Sequence, residues 1–449
     1  MFTGYLSNSN SLKKIILIYI LNLSIWLIFI LIKFFETKPL EVILTVLTTV
    51  QGLALIHVSF LLVAFLFFYI TKHYEIYRVG GMRQLFNIFF KITILPLFLI
   101  TAVLYAINKF NNNENFNVIN STAYNYSPIS KNCYEQDFKI RGASIFGLNS
   151  NTEYKMSTII LNNVEWVALH PFVYQDNEDD IKIRSKKEYW SKRDSAYVKT
   201  INQLHSKDIH VMLKPHLWVS NGWRNNINFK DSKKWNSWFE SYSKIILFYA
   251  KFAQDTNVEL FCIGTELDKT LTDHSQHWLE LIKEIKKIYN GQLTYAMNWD
   301  TEYFNPEFWS ALEYIGIQAY YPLTTNEEPE LSQIKNGWQK HITILKRASK
   351  QINKPILFTE IGYRDDSYAT IKPWEWSNTI KRFFRKKSNK TQYFAFKAFF
   401  EEVWGESWFS GLFIWQWNKS SDFSIIDRPA QNLVMNEFSK LVRDNLNCN

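Results

Sequence analysis

Eight short β-rich runs recur after residue 133, separated by longer stretches of which several carry helical spacing. The runs are "FKIRGASIF" (138–146), "VEWVALHP" (164–171), "IHVMLKPHLW" (209–218), "VELFCIGTE" (258–266), "GQLTYAMNW" (291–299), "YIGIQAYYP" (314–322), "KPILFTEIGY" (354–363) and "SGLFIWQWN" (410–418). Between them, "WFESYSKIILFYAKFA" (238–253) and "HWLELIKEIKKIY" (277–289) return apolar residues at i, i+3 and i+4, the spacing of a helix with one buried face. Strand–helix alternation repeated eight times over about 310 residues specifies a parallel sheet wrapped by helices. An open doubly wound sheet is the rival, but "RGASIFGLNS" lacks the G-x-G-x-x-G phosphate turn that such a sheet carries after its first strand. The expected fold is therefore α/β, a (β/α)8 TIM barrel over residues 133–449.

In such barrels the site lies at the C-terminal ends of the strands. With side chains alternating along a strand, Leu260, Cys262, Gly264 and Glu266 share one face, as do Ile356, Phe358 and Glu360. Each series is predicted to look inward and to end on an acid at the upper rim. Paired carboxylates at a barrel mouth suit glycosidic bond cleavage, where one acid protonates the leaving oxygen and the other attacks the anomeric carbon. Mutual repulsion and burial keep one of the two protonated. The chain has no HExxH, P-loop, G-x-S-x-G elbow or Cys/His cluster, so no metal and no cofactor is expected.

"GTELD" and "FTEIGY" resemble glycoside hydrolase family 113 of the retaining clan A, whose activity is endo-β-1,4-mannanase. The resemblance covers about residues 135–445 and implies Glu266 as acid/base and Glu360 as nucleophile, with retention of configuration. Many clan members have Asn where this chain has Thr265, which leaves the clan's 2-hydroxyl contact unassigned. Tyr320 in "QAYYP" resembles the tyrosine that donates to the nucleophile, and Trp415 in "FIWQW" the platform under the sugar. His170 and His216 end the second and third strands and can bond sugar hydroxyls, and Lys214 can balance the acids' charge. Trp218, Trp223, Trp299 and Trp374 follow strand ends and suit a chain of sugar units. The alternatives are a β-glycan other than mannan, such as β-glucan, and an inactive barrel that binds glycan or a partner protein.

The first 108 residues have another composition. Ile15–Ile32 and Leu53–Ile70 are uncharged stretches, and Leu85–Ile107 is interrupted only by Lys91 and Pro96. Crossing a bilayer as helix takes roughly 20 apolar residues, so spans are expected near 14–34, 47–70 and 87–107. Lys13, Lys14 and the basic 71–91 loop place the N-terminus in the cytoplasm, and an odd number of spans then puts the barrel outside. The chain is thus expected to be a multi-pass protein of the cell membrane, partnered by the lipid bilayer and a polysaccharide or oligosaccharide. Residues 109–132, "KFNNNENFNVINSTAYNYSPISKN", are Asn-rich and suggest a solvated linker. Residues 1–110 hold nine Lys/Arg against three Asp/Glu, +6 of the formal +9. What remains gives no basic stripe, which excludes nucleic acid as a partner. Cys262 lies in an oily run and is expected in the core, whereas Cys133 and Cys448 bracket the barrel and can pair outside the cytoplasm.

Overall fold

The computed structural model describes residues 69–112 except 76, 85 and 88, isolated positions 65, 114 and 116, and then 133–146, 152–184, 187–376 and 385–442. Packing divides the chain into two compact units, Met1–Ile107 and Asn108–Asn449.

Among the described residues the second unit holds ten strands: β1 (Ile140–Ile145), β2 (Trp166–Leu169), β3 (Phe172–Asn177), β4 (His210–Leu213), β5 (His216–Asn221), β6 (Leu260–Thr265), β7 (Gln292–Asn298), β8 (Tyr314–Gln318), β9 (Ile356–Ile361) and β10 (Phe409–Ile414). Eight of them close a parallel barrel in the order β1-β10-β9-β8-β7-β6-β4-β2. Seven of them lie within one of the eight β-rich runs each, and β10 begins one residue before the eighth. The third run is not one strand but two. Pro215 divides it into β4 and β5, and Pro171 likewise separates β2 from β3. A proline has no N–H for a sheet ladder, so the wall breaks at that level. Above the break β3 and β5 pair with each other, Phe172 against His216 through Asn177 against Asn221, and rise from the rim as a two-stranded parallel flap.

Two apolar layers hold the barrel. The lumen is filled by Ile140, Trp166, Ala168, Met212, Leu260, Cys262, Leu357 and Phe413 among others. Cys262 is free and fully buried there, and burial pushes its thiol up to about 11. The outer layer packs strand backs against helices. Helix Ser232–Asp255, whose N-cap Asp231 accepts from the Lys233 N–H, buries Trp235, Trp238, Phe239, Tyr242, Ile246, Tyr249, Ala250 and Ala253 along one stripe. Helix Leu331–Ile352 begins with a capping box between Glu330 and Gln333 and ends on left-handed Asn353. Towards the top the lumen turns polar. Lys214, Gln318, Thr359 and Glu360 are all buried there.

The N-terminal expectations fare differently. The first span and most of the second lie outside the described residues. Where the third was expected, a π-helical turn at Phe90–Ile94 runs into helix Leu95–Asn112, which ends on the polar sequence "NKFNN". Among the described residues no helix is long and apolar enough to cross a membrane. The start of the Asn-rich segment is docked, contrary to a free tether. The Asn111 carbonyl accepts from the Lys387 N–H at 2.8 Å, and Glu114 accepts from the N–H groups of Asn389 and Lys390 at 2.7 and 2.8 Å. Glu114 thereby supplies acceptors to the first turn of helix Asn389–Phe399. Cys133 is buried and disulfide-bonded; its expected partner, Cys448, lies outside the described residues.

Candidate active site

Both acids reach the barrel mouth, but not by simple alternation. On β6, Leu260 and Cys262 face the lumen as expected. Between Cys262 and Thr265 the pairing with β7 slips by one residue. Gly264 consequently faces outward, where an added Cβ would lie 2.7 Å from Trp278 and Tyr295. Glu266 then adopts left-handed backbone, φ 55°, while its N–H donates to the Ala296 carbonyl at 2.9 Å. On β9 the expected parity is reversed. Leu357 fills the lumen, and Ile356 and Phe358 belong to the outer layer. A bulge follows, with Ile317 opposite Phe358 but Gln318 opposite Glu360. That extra residue turns Glu360 inward.

Glu360 is held on both oxygens. Lys214 Nζ donates to Oε1 at 2.6 Å and Tyr320 Oη donates to Oε2 at 2.7 Å. The remaining Lys214 donors go to Gln318 Oε1 at 2.9 Å and the Thr359 carbonyl at 3.3 Å, and Thr359 Oγ1 also donates to Gln318 Oε1, at 3.1 Å. An ammonium and a phenol aimed at one carboxyl suit its ionised form, which only accepts. Burial, then the Glu360 charge, pushes the Tyr320 phenol well above its ordinary value, so it stays a donor. Glu266 is 8% exposed and has a different setting. Burial raises its carboxyl above the usual range and the Glu360 charge adds to that, while Arg224, with Nη2 3.5 Å away, opposes it. One acid is matched by a cation within hydrogen-bonding distance, and the other is biased towards keeping its proton.

The histidines complete the wall. His170 Nδ1 lies 3.3 Å from His216 Nε2, and His216 Nε2 lies 3.7 Å from Glu360 Oε1. Burial holds both rings well below the ordinary histidine value, hence neutral. His170 stacks on Phe146, with ring centroids 4.6 Å apart, and its Nε2 is buried without a hydrogen-bond partner. His170, His216 and Glu360 offer three ligand atoms within 4.8 Å of one another. The Lys214 ammonium on Glu360 occupies that space with positive charge, which disfavours a metal cation there.

Trp415 is edge-on to Phe146 at 4.8 Å and parallel to His216 at 6.3 Å, and it clusters with Tyr320 and Phe423. Trp299 stacks on Trp374 at 4.9 Å. Trp376, absent from the sequence expectations, stands edge-on to Trp415 at 6.4 Å and is exposed. Trp218 and Trp223 are exposed on the flap and just beyond it. Thr265 does not join the mouth. It is buried, with Oγ1 4.0 Å from the Cys262 sulfur. Two further residues were not anticipated. Arg224 comes from the turn after β5. Asp268, two residues past Glu266, accepts from Asn298 N–H and Nδ2, Thr301 Oγ1 and Tyr295 Oη at 2.7–3.1 Å. The second acid of "GTELD" was a visible signal for Asp268, whereas Arg224 had none.

The profile of Glycoside Hydrolase Family 113 matches residues 147–433. A search of the curated proteins finds no match. Among solved structures the chain is similar to a GH113 β-1,4-mannanase, with 24% identity and TM-score 0.58, over 67% of this chain and 99% of that one. It is also similar to the GH113 β-mannanase AaManA from Alicyclobacillus acidocaldarius in complex with ManMIm. There the identity is 24% and the TM-score 0.57, over 67% and 97% of the two chains. At these identities the likeness establishes the shared fold.

Lys214→Met should leave Glu360 buried without its cation, a change that costs about 3–5 kcal/mol when a buried pair loses one partner. Urea unfolding would show it as a midpoint shift at constant slope; an unshifted midpoint would mean the pair contributes nothing to the fold.

Proposed function

The chain belongs to glycoside hydrolase family 113, and from that premise we propose that it cleaves a β-linked polysaccharide or oligosaccharide by double displacement with retention, β-1,4-mannan being the favoured substrate. The observation that carries the mechanism is the asymmetry of the two acids. Glu360, matched by Lys214 and Tyr320, is the nucleophile. Glu266, raised by burial and by Glu360, is the acid.

In the first step a Glu360 oxygen forms a bond to the anomeric carbon as the glycosidic C–O bond breaks. The departing oxygen takes the Glu266 proton. Lys214 and Tyr320 keep the attacking carboxylate aimed and give up part of their charge stabilisation as it becomes an ester. In the second step Glu266, now ionised, removes a proton from water. The water oxygen displaces Glu360 from the same carbon, so two inversions give net retention. Trp415 supplies a flat face for a sugar ring beside the pair, and His170 Nε2 is a free polar atom for a sugar hydroxyl. The Trp299–Trp374 stack extends the aromatic surface for further units. Mannan is favoured by the family and by the similar structures, which are β-mannanases.

Residues 1–108 are proposed to anchor the barrel to the cell membrane through spans near 14–34, 47–70 and 87–107, with the barrel on the extracytoplasmic side. Their support is the uncharged stretches of the sequence, together with the exposure of Leu97, Phe98, Leu99, Ile100 and Val103 on helix Leu95–Asn112. The disulfide at Cys133 fits an oxidising compartment.

Glu360→Ala should lower turnover of β-1,4-mannan oligomers by more than about 10³-fold, in line with the loss of a catalytic nucleophile, with an unchanged circular dichroism spectrum. NMR of the parent reaction should show the β-anomer first; initial α-product, or an active Ala variant, would contradict the mechanism. For the anchor, the full chain should stay with the membrane pellet after alkaline carbonate washing, whereas release into the supernatant would refute integral spans.

A further inference from the structure

Among the described residues of the barrel unit two arginines are fully buried, and both have roles in holding the fold. Arg364 is fully buried and uses Nε and Nη2 on Asp366 and Nη1 on the carbonyls of Lys372, Pro373 and Glu375. Arg141 bonds Asp137 and the carbonyls of Lys139 and Lys440 through Nη1 and Nη2, which leaves its Nε unpartnered within that ion pair. Arg141 thereby ties β1 to the C-terminal segment, and Arg364 closes the loop that follows β9. Arg224 is different. Its side chain is 11% exposed, its Nη1 is buried without a hydrogen-bond partner, and its Nη2 faces Glu266 at 3.5 Å. A guanidinium in that position is not explained by what it holds together.

The turn Arg224–Asn226 is itself fixed from two sides. Glu178 Oε1, from just beyond β3, accepts from the Trp223 N–H at 2.8 Å and from Asn226 Nδ2 at 3.0 Å. Asn225 Oδ1 accepts from the Lys269 N–H at 3.0 Å, which pins the turn to the segment that follows Glu266. The Arg224 guanidinium also lies 5.0 Å from the Trp223 ring centroid. Its distance from Glu266 is therefore set by backbone contacts on both elements.

From this geometry we propose that Arg224 is a positioning residue of the hydrolysis: it orients the Glu266 carboxyl towards the leaving oxygen and sets the pH above which that carboxyl no longer carries its proton. The proposal rests on the acid/base reading of Glu266. The charged groups acting on Glu266 are Arg224 and Lys214, which favour its ionised form, and Glu360 and Asp268, which disfavour it. His170 and His216 on the adjoining wall are neutral. Removing Arg224 leaves burial, Glu360 and Asp268 opposed by Lys214 alone among these. Glu266 then keeps its proton to higher pH. Because the acid works only while protonated, the alkaline limb of the rate profile must move upward. An opposite charge at this range moves a carboxyl by about 1–3 pH units, so a displacement of about 1 is expected for a pair near the rim.

The test compares the full chain with its Arg224→Gln and Arg224→Lys variants, measuring kcat/KM against pH on two substrates. One is β-1,4-mannohexaose; the other is a 2,4-dinitrophenyl β-glycoside, whose leaving group needs no proton. Arg224→Gln should move the alkaline limb on mannohexaose up by about 1 pH unit and lower its plateau, with the dinitrophenyl substrate little changed. Arg224→Lys should keep the parent limb. An unmoved limb in Arg224→Gln, or equal losses on both substrates, would overturn the proposal in favour of a packing role. Glu266→Gln, run alongside, separates the two failures. It loses mannohexaose turnover if Glu266 is the acid whatever Arg224 does, and normal turnover in it removes the acid/base reading together with this inference.

Discussion

The contact between Lys214 and Glu360 organises the mouth of the barrel. At 2.6 Å and with both side chains almost wholly enclosed, it takes two charges out of water at a cost of several kcal/mol per ion before attraction and hydrogen bonds offset it. Such a pair contributes little to stability that well-packed apolar residues could not. Its value lies in orientation. Lys214 is fixed by Gln318 and the Thr359 carbonyl, Tyr320 takes the other carboxyl oxygen, and the result is one carboxyl held at both oxygens beside an aromatic hollow of Tyr320, Trp415 and Phe423.

Glu266, by contrast, has a cation at 3.5 Å rather than in hydrogen-bonding contact, and burial dominates its behaviour. Two glutamates on one rim thus acquire different chemistry from their surroundings alone. The local backbone is spent on the same end. Each acid follows a slipped pairing, and Glu266 carries a left-handed backbone that a non-glycine residue adopts only at some energetic cost. Asp268, bonded to Asn298, Thr301 and Tyr295, holds the turn just beyond it.

Much of this was legible in the sequence. The eight strands announced themselves because a barrel strand is buried on both faces, so its oily run stands out from amphipathic helices such as 277–289. The two acids were also legible, although by faulty geometry. Period-two alternation fails on β6 at the bulge that turns Gly264 outward, whereas on β9 it is inverted from Ile356 onward and the bulge before Glu360 restores the inward direction. The acids arrive at the mouth because the bulges put them there. Arg224 was invisible because its position depends on Glu178 and Lys269 bonding one turn from distant parts of the chain. The division of the third run at Pro215 was foreseeable from the missing N–H; the flap that it releases was not.

The aromatic hollow, the flanking indoles and the two acids make sense together if a sugar bond is broken through a covalent intermediate on Glu360. That intermediate can be trapped. Incubation with a 2-deoxy-2-fluoro β-mannosyl fluoride, followed by peptide mass spectrometry, should find one sugar attached to the peptide carrying Glu360. Attachment to a peptide lacking Glu360, or a chain that hydrolyses mannan yet never accumulates the adduct, would contradict the account.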